Sequence, residues 1–214
     1  MVTITPAAPV HVEEAARVLA SALREDAMMS AFFGGGPEGR EERLAHLFEV
    51  FVRKGLRHGA VDLARAEGQS SLLGVAVWLA PGQGRDALTD HLRDLRSYTR
   101  AFGARGLLSA RALERTLHAA RPGEPHWYLS VIGVHPAGRG QGVGSALLQS
   151  RLSTVDRTLP TAPAYLEAST QRNAALYARY GFGSTGTVAG FPPPVTPVAM
   201  WRPGAGDRNL AVQG

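Results

Sequence analysis

Between residues 11 and 25 the apolar positions recur at helical spacing. Val12, Ala15, Ala16, Leu19, Ala22 and Leu23 share one face of HVEEAARVLASALRE, which predicts an amphipathic helix with one buried stripe. The period returns from about Arg40 to His58, with Leu44, Leu47, Phe48, Phe51 and Val52 in register. Between these helices AMMSAFFGGGPEG reads as a break, because glycines and a proline interrupt the pattern. Strand-like segments lie at 2–5 (VTIT), near 60–67 (AVDLARAE) and near 71–81 (SLLGVAVWLAP), the last two joined by Gly68-Gln69 as a hairpin turn. Residues 85–119 are helical by Leu88, Leu92 and Leu95, then by Leu107, Leu113 and Leu117, with Gly103 and Gly106 dividing the stretch. HWYLSVIGV (126–134) is aromatic and β-branched and predicts a strand stopped by Pro136. A helix is expected from Val143 to Asp156, a strand at 162–169 (APAYLEAS), and a helix from Asn173 to Tyr180 that Gly181 ends. Strand pieces at 184–191 and 195–201 flank Pro192-Pro193-Pro194.

Alternating strands and helices give a mixed α/β class. Hairpins at both ends imply antiparallel pairing there. The strand–loop–helix–strand unit over 126–169 implies a parallel or splayed pair in the middle. A chain of 214 residues with 44% hydrophobic and 19% charged residues fits one globular domain. The expected layout is a domain over 1–203 with a helical insertion at about 85–120, and a polar, glycine-rich tail over 204–214.

The absence of cysteine excludes a disulfide scaffold, a cysteine nucleophile and a thiolate metal site. No apolar run is long enough for a membrane helix and the N-terminal segment lacks the form of a secretory signal, so a cytoplasmic protein without membrane association is expected. Lys54 is the single lysine among 23 basic residues, and the formal charge is +5. An arginine-rich surface suits an anionic ligand. No basic run carries interleaved aromatics, so nucleic acid is not the expected partner. The histidines lack metal-ligand spacing, and no metal is expected.

Gly138, Gly140, Gly142 and Gly144 alternate between a strand and a helix. Such a loop lets several N–H groups converge on one anion at the positive end of a helix, a geometry suited to phosphate or pyrophosphate. Gly144 is followed by Ser145-Ala146 with no lysine, so the loop is not of the nucleoside-triphosphatase type. No glycine stands where the dinucleotide fingerprint G-x-G-x-x-G requires its third.

Arg139-x-x-Gly142-x-Gly144 resembles the acetyl-CoA pyrophosphate signature of the GNAT acetyltransferases. Val134-His135-Pro136 before it and Ala146-Leu147-Leu148 after it resemble the same family's flanks, and Asn173…Leu176-Tyr177…Gly181-Phe182 resembles its later motif. The resemblance implies the GNAT fold, a mostly antiparallel sheet with splayed central strands, and acetyl-CoA as cosubstrate. It implies cofactor contacts from Arg139, Gly140, Gln141, Gly142, Val143, Gly144 and Ser145, from the backbone of Ile132, Gly133 and Val134, and from Asn173 and Tyr180. One of the three strand N–H groups would stabilise the oxyanion. Tyr177 stands where the family often carries the general acid that protonates the leaving thiolate. Glu167, the acid in Tyr165-Leu166-Glu167-Ala168-Ser169, is the candidate base or else a structural acid. His118, His126 and His135 are weaker candidates.

Ala76-Val77-Trp78-Leu79-Ala80-Pro81, the long insertion, and Arg121-Pro122-x-Glu124-Pro125-His126-Trp127-Tyr128-Leu129 look like the group typified by puromycin N-acetyltransferase. The insertion is expected to cover an acceptor pocket lined by Trp78, Trp127, Tyr98, Met28, Met29, Phe32 and Phe33, with Asp26 as anchor for a cationic amine. The implied activity is N-acetylation of a primary amine on a small molecule, in a monomer or homodimer. The alternative is an acyl-CoA-binding module, a sensor or scaffold, that performs no turnover.

Overall fold

The computed structural model describes residues 2–33, 38–82, 88–158 and 162–206, with backbone alone at 88–93 and 104–105. The expected glycine break at 34–37, the start of the insertion at 85–87 and most of the tail, 207–214, lie outside the described residues. Seven strands form one sheet in the order β1-β2-β3-β4-β5-β7-β6: β1 (Val2–Pro6), β2 (Gly59–Ala66), β3 (Leu72–Leu79), β4 (Trp127–Val134), β5 (Ala164–Ala168), β6 (Gly183–Thr187) and β7 (Val198–Arg202). Every neighbouring pair is antiparallel except β4 and β5, which run parallel. Among the described residues β4 and β5 pair at only two positions, Trp127↔Ala164 and Tyr128↔Tyr165. Beyond Tyr128 the strands part, so the sheet carries the expected splay at its centre.

Both faces of the sheet are covered, which is why β3 is apolar and buried along its whole length. Val75, Val77 and Leu79 face the cluster formed with α1 (Val12–Leu23) and α3 (Arg40–His58). Ala76 and Trp78 face the opposite cluster with Leu147, Leu148 and Leu152 of α5 (Val143–Arg157). Packing of α5 on β3 is close: a Cβ at Gly74 would lie 2.7 Å from Val143 Cγ1.

A short helix, α2 (Ala27–Phe33), occupies the first half of the segment expected to be a break. It forms because Asp26 accepts at Oδ1 from the Met29 N–H at 3.1 Å, capping its first turn, while Met28 and Met29 are buried. The insertion is the long helix α4 (Leu88–Ala120), divided at Gly103, where φ is +63° and ψ 173°. Gly106 continues the helix. The insertion is fastened to α3 by Asp94, which is buried and accepts from the Arg57 guanidinium at 2.7 Å. The helix α6 (Gln171–Ala178) begins two residues before the predicted Asn173 because Thr170 caps it, accepting from the Asn173 N–H at 3.2 Å.

Candidate active site

Where β4 and β5 part, a cavity of about 180 Å³ opens, bounded by both strands, α2, α3, α4 and α6. The edge of β4 contributes Tyr128, Leu129, Ser130, Val131 and Ile132 to it. Register slips within β4, where Val77 pairs with Val131 but Trp78 pairs with Leu129. Ser130 is therefore an extra residue in a β-bulge, which turns local backbone groups out of the ladder. Of the three residues expected to offer a backbone N–H, Ile132 lines the cavity. Gly133 turns its Cα face to α1, where an added Cβ would stand 2.9 Å from the Ala22 Cβ, and the Val134 side chain lies against the first turn of α5. The bulge at Ser130 has no sequence signal beyond one polar residue within an apolar run.

The glycine loop lies beyond the outer end of β4. Gly140 and Gly142 have φ of +76° and +75°, in the left-handed region that favours glycine. Gly142 is the N-cap of α5 and has no side chain to satisfy the first-turn N–H groups of Val143, Gly144 and Ser145. First-turn donors of this kind can receive an anion. Val143 turns its side chain into the core, so its backbone alone serves the loop. Gln141 closes the turn by donating from Nε2 to the Ala137 carbonyl at 2.7 Å. Arg139 is exposed, donates to the Ala22 carbonyl at 3.3 Å and borders a surface cleft with Ser21, Arg24 and Pro136.

From α6, Asn173 and Tyr177 stand one turn apart on the cavity wall beside Ser169. Asn173 donates from Nδ2 to the Ser169 hydroxyl at 2.9 Å. Burial holds the Tyr177 phenol well above its usual pKa, and the Asp26 carboxylate adds to the effect. Tyr177 therefore keeps its proton across the physiological range. Tyr180, expected near the cofactor, points away from this cavity into the packing under α5, and its carbonyl accepts from Arg202 Nε at 2.9 Å.

Glu167 enters from β5, with its side chain 2% exposed. Its Oε2 accepts from the Tyr128 hydroxyl at 2.8 Å, while its Oε1 has no hydrogen bond. Burial raises its pKa, and Arg121 and the Tyr128 hydroxyl oppose that rise. Arg121 was not singled out for the site by the sequence. It follows α4, stands over the Tyr128 ring at 3.8 Å and brings its Nε to 3.7 Å from Glu167 Oε1.

The rest of the wall is largely apolar, built from Met28, Met29, Phe32, Phe51, Tyr98 and Phe102 among others, with Asp26 also on it. Three expected lining residues stand off the wall. Trp78 is wholly buried beneath α5, because strand alternation sends it to the face opposite Val77 and Leu79. Trp127 likewise packs on the α5 side, one residue out of phase with Tyr128. Phe33 stacks on Phe102 at 4.7 Å, behind the wall. Of the histidines, His118 borders the cavity. His126 is half-buried against Tyr165 and Trp201, with its pKa lowered by burial. His135 caps the turn before the glycine loop, accepting at Nδ1 from the Ala137 N–H at 3.3 Å.

Residues 106–183 match the family described as the acetyltransferase (GNAT) domain. An acetyltransferase of Corynebacterium glutamicum, described as histone acetyltransferase HPA2 and related acetyltransferase, is 28% identical, with a TM-score of 0.72 over 95% of this chain and 97% of that one. Two more distant structures share the fold. The polyamine N-acetyltransferase of Drosophila melanogaster is 18% identical, with a TM-score of 0.55 over 94% and 98% of the two chains. A mosquito arylalkylamine N-acetyltransferase-like protein is 14% identical, with a TM-score of 0.58 over 95% and 100%. The likeness to the puromycin N-acetyltransferase group rests on sequence layout. The splayed sheet and the uncapped helix terminus after Gly142 agree with these matches: residues 106–183 match the GNAT acetyltransferase domain, and the chain has the fold of GNAT acetyltransferases.

Proposed function

We propose that this protein is an acetyl-CoA-dependent N-acetyltransferase acting on a primary amine of a small molecule with an apolar or aromatic body. The carrying observation is a single cavity, at the splay of β4 and β5, that gathers a protonated phenol, a buried carboxylate with one oxygen lacking a hydrogen bond, and an apolar outer wall. In this reading the pyrophosphate lies on the N-terminus of α5 with Arg139 alongside, and the pantetheine chain runs along the free edge of β4. Glu167 takes the proton that keeps the acceptor amine an ammonium, leaving a neutral nucleophile for the thioester carbonyl. A backbone N–H near the Ser130 bulge meets the developing oxyanion. Tyr177 donates its proton to the departing thiolate. Asp26, which faces Tyr177, attracts a cationic amine toward that end of the cavity.

The rival reading, an acyl-CoA-binding domain without turnover, predicts the same cofactor affinity and no CoA release with any amine. Calorimetric titration with acetyl-CoA and with ATP tests the shared part. Micromolar acetyl-CoA binding is expected, with at least a tenfold loss in Arg139→Ala/Gly142→Ala, which removes a phosphate donor and strains a left-handed position by about 1 kcal/mol or more. A panel of arylalkyl and polyamine acceptors, followed by free CoA, then separates enzyme from binding module. An unaffected double variant would remove the loop from cofactor binding.

A further inference from the structure

Arg121 and Glu167 are oppositely charged and buried together, yet they do not form the hydrogen-bonded pair such residues ordinarily make. Nε of Arg121 lies 3.7 Å from Oε1 of Glu167, and neither atom has a hydrogen-bond partner. A structural arginine–carboxylate pair in a protein interior ordinarily closes into a fork with parallel hydrogen bonds, since unmet polar atoms are costly there. Here the guanidinium is held off by lying over the Tyr128 ring, 3.8 Å from its centre. Tyr128 in turn occupies only Oε2, by its own donated hydrogen bond at 2.8 Å. The charge reaches the carboxylate, while Oε1, enclosed beside the cavity, is left without a hydrogen bond.

We propose that Arg121 is a positioning residue that keeps Glu167 an anion with a vacant proton-accepting oxygen, and that the insertion is present as much to deliver this guanidinium as to cover the acceptor. The inference rests on the reading of Glu167 as the base. It follows from two opposed demands. A buried carboxylate favours the protonated form, whereas a base must be empty of its proton. An arginine that hydrogen-bonded the carboxylate would satisfy the charge and block the oxygen. An arginine stacked on a neighbouring ring satisfies the charge and leaves the oxygen free. Other ionisable groups near Glu167 are Tyr128 on β4, Tyr165 on β5, Tyr98, Glu114 and His118 on α4, Lys54 on α3, Asp26 before α2 and Tyr177 on α6, all but Tyr165 on the cavity wall. Tyr165 also interacts with the carboxylate, and its hydroxyl donates to the Ala120 carbonyl at 3.4 Å, tying this strand to the end of the insertion.

The test is a pH titration of the glutamate side-chain carboxyls by carbon NMR in the full chain, assigned with Glu167→Gln, for wild type, Arg121→Met and Arg121→Lys. Loss of the positive charge should move the Glu167 midpoint upward by at least one pH unit, a tenfold gain in proton affinity. Arg121→Lys should stay within about half a unit of wild type, since the charge is kept. The acidic limb of kcat/KM should move with the NMR midpoint, and Arg121→Met should recover most of its rate at high pH. A Glu167 midpoint that does not move in a folded Arg121→Met protein overturns the proposal, as does a rate loss equal at every pH. If Arg121→Met fails to fold, Arg121→Gln takes its place with the same expected direction. Full turnover by Glu167→Gln would instead remove Glu167 as the base. The NMR shift would then still decide whether Arg121 sets its charge, so the two failures are distinguishable.

Discussion

Changing Tyr177 to phenylalanine removes one oxygen from the cavity wall and leaves the ring packed against Phe182, 6.2 Å away between centres. The expected loss follows from the chemistry of the leaving group. A general acid contributes about 100- to 10,000-fold to a rate, but a thiol, with a pKa near 8.5, leaves more readily than an alcohol or amine. A loss at or below the bottom of that range, about 10- to 100-fold in kcat, is therefore expected, or about 1.4–2.7 kcal/mol of barrier. The cofactor Kd should change less than twofold, since the phenol acts when the sulfur acquires charge and not on binding. The melting temperature should stay within about 2 °C, because the buried ring is conserved. Burial and the Asp26 charge both raise the phenol's pKa, so Tyr177 should give wild type no basic limb between pH 7 and 9. Stopped-flow measurement of CoA release, with Kd from calorimetry, checks these points together. Unchanged turnover in a folded Tyr177→Phe protein, measured with chemistry rate-limiting, would refute the general-acid assignment.

Two other substitutions probe neighbouring parts. Asp26→Asn keeps the Oδ1 that caps α2 and removes the charge, so KM for a cationic amine should rise about tenfold with unchanged kcat and thermal stability; an unaltered KM would exclude Asp26 as the amine's anchor. Gly133→Ala puts a methyl 2.9 Å from the Ala22 Cβ and 3.0 Å from Leu19 Cδ2. Such overpacking should destabilise by about 1–3 kcal/mol, seen as a fall of roughly 2–10 °C in melting temperature, and no fall would mean that α1 yields freely.

How much of this was readable beforehand depended on the range of the determining interaction. The glycine loop and the Asn173–Tyr177 helix are local patterns, and both stand beside the splay as expected. Glu167 was conspicuous as an acid within an apolar strand. Trp78 was misread because SLLGVAVWL has no polar alternation to mark its faces, and a one-residue error of phase carries a side chain through the sheet. Trp127 and Tyr128 show the same difficulty. The bulge at Ser130 changes phase midway along β4 and is set by pairing with β3. Arg121 was hidden within a proline–glycine turn, since its partners Tyr128 and Glu167 come from two strands that meet only in the folded chain. The seven-residue α2 was lost because its cap, Asp26, and its buried Met28 and Met29 occupy a segment dominated by the glycines that follow.

The parting of β4 from β5 divides the sheet into a four-stranded part and a three-stranded part, with two residue pairs joining them among the described residues. A continuous sheet derives cohesion from every rung of each ladder, and here most rungs of the central one are missing. A ligand threaded between the two parts would grip both at once, so part of its binding free energy would appear as mechanical unity of the protein. Amides lining the gap should then exchange as two separate groups in the free protein and as one in the complex. In such a molecule the substrate completes the architecture that acts on it.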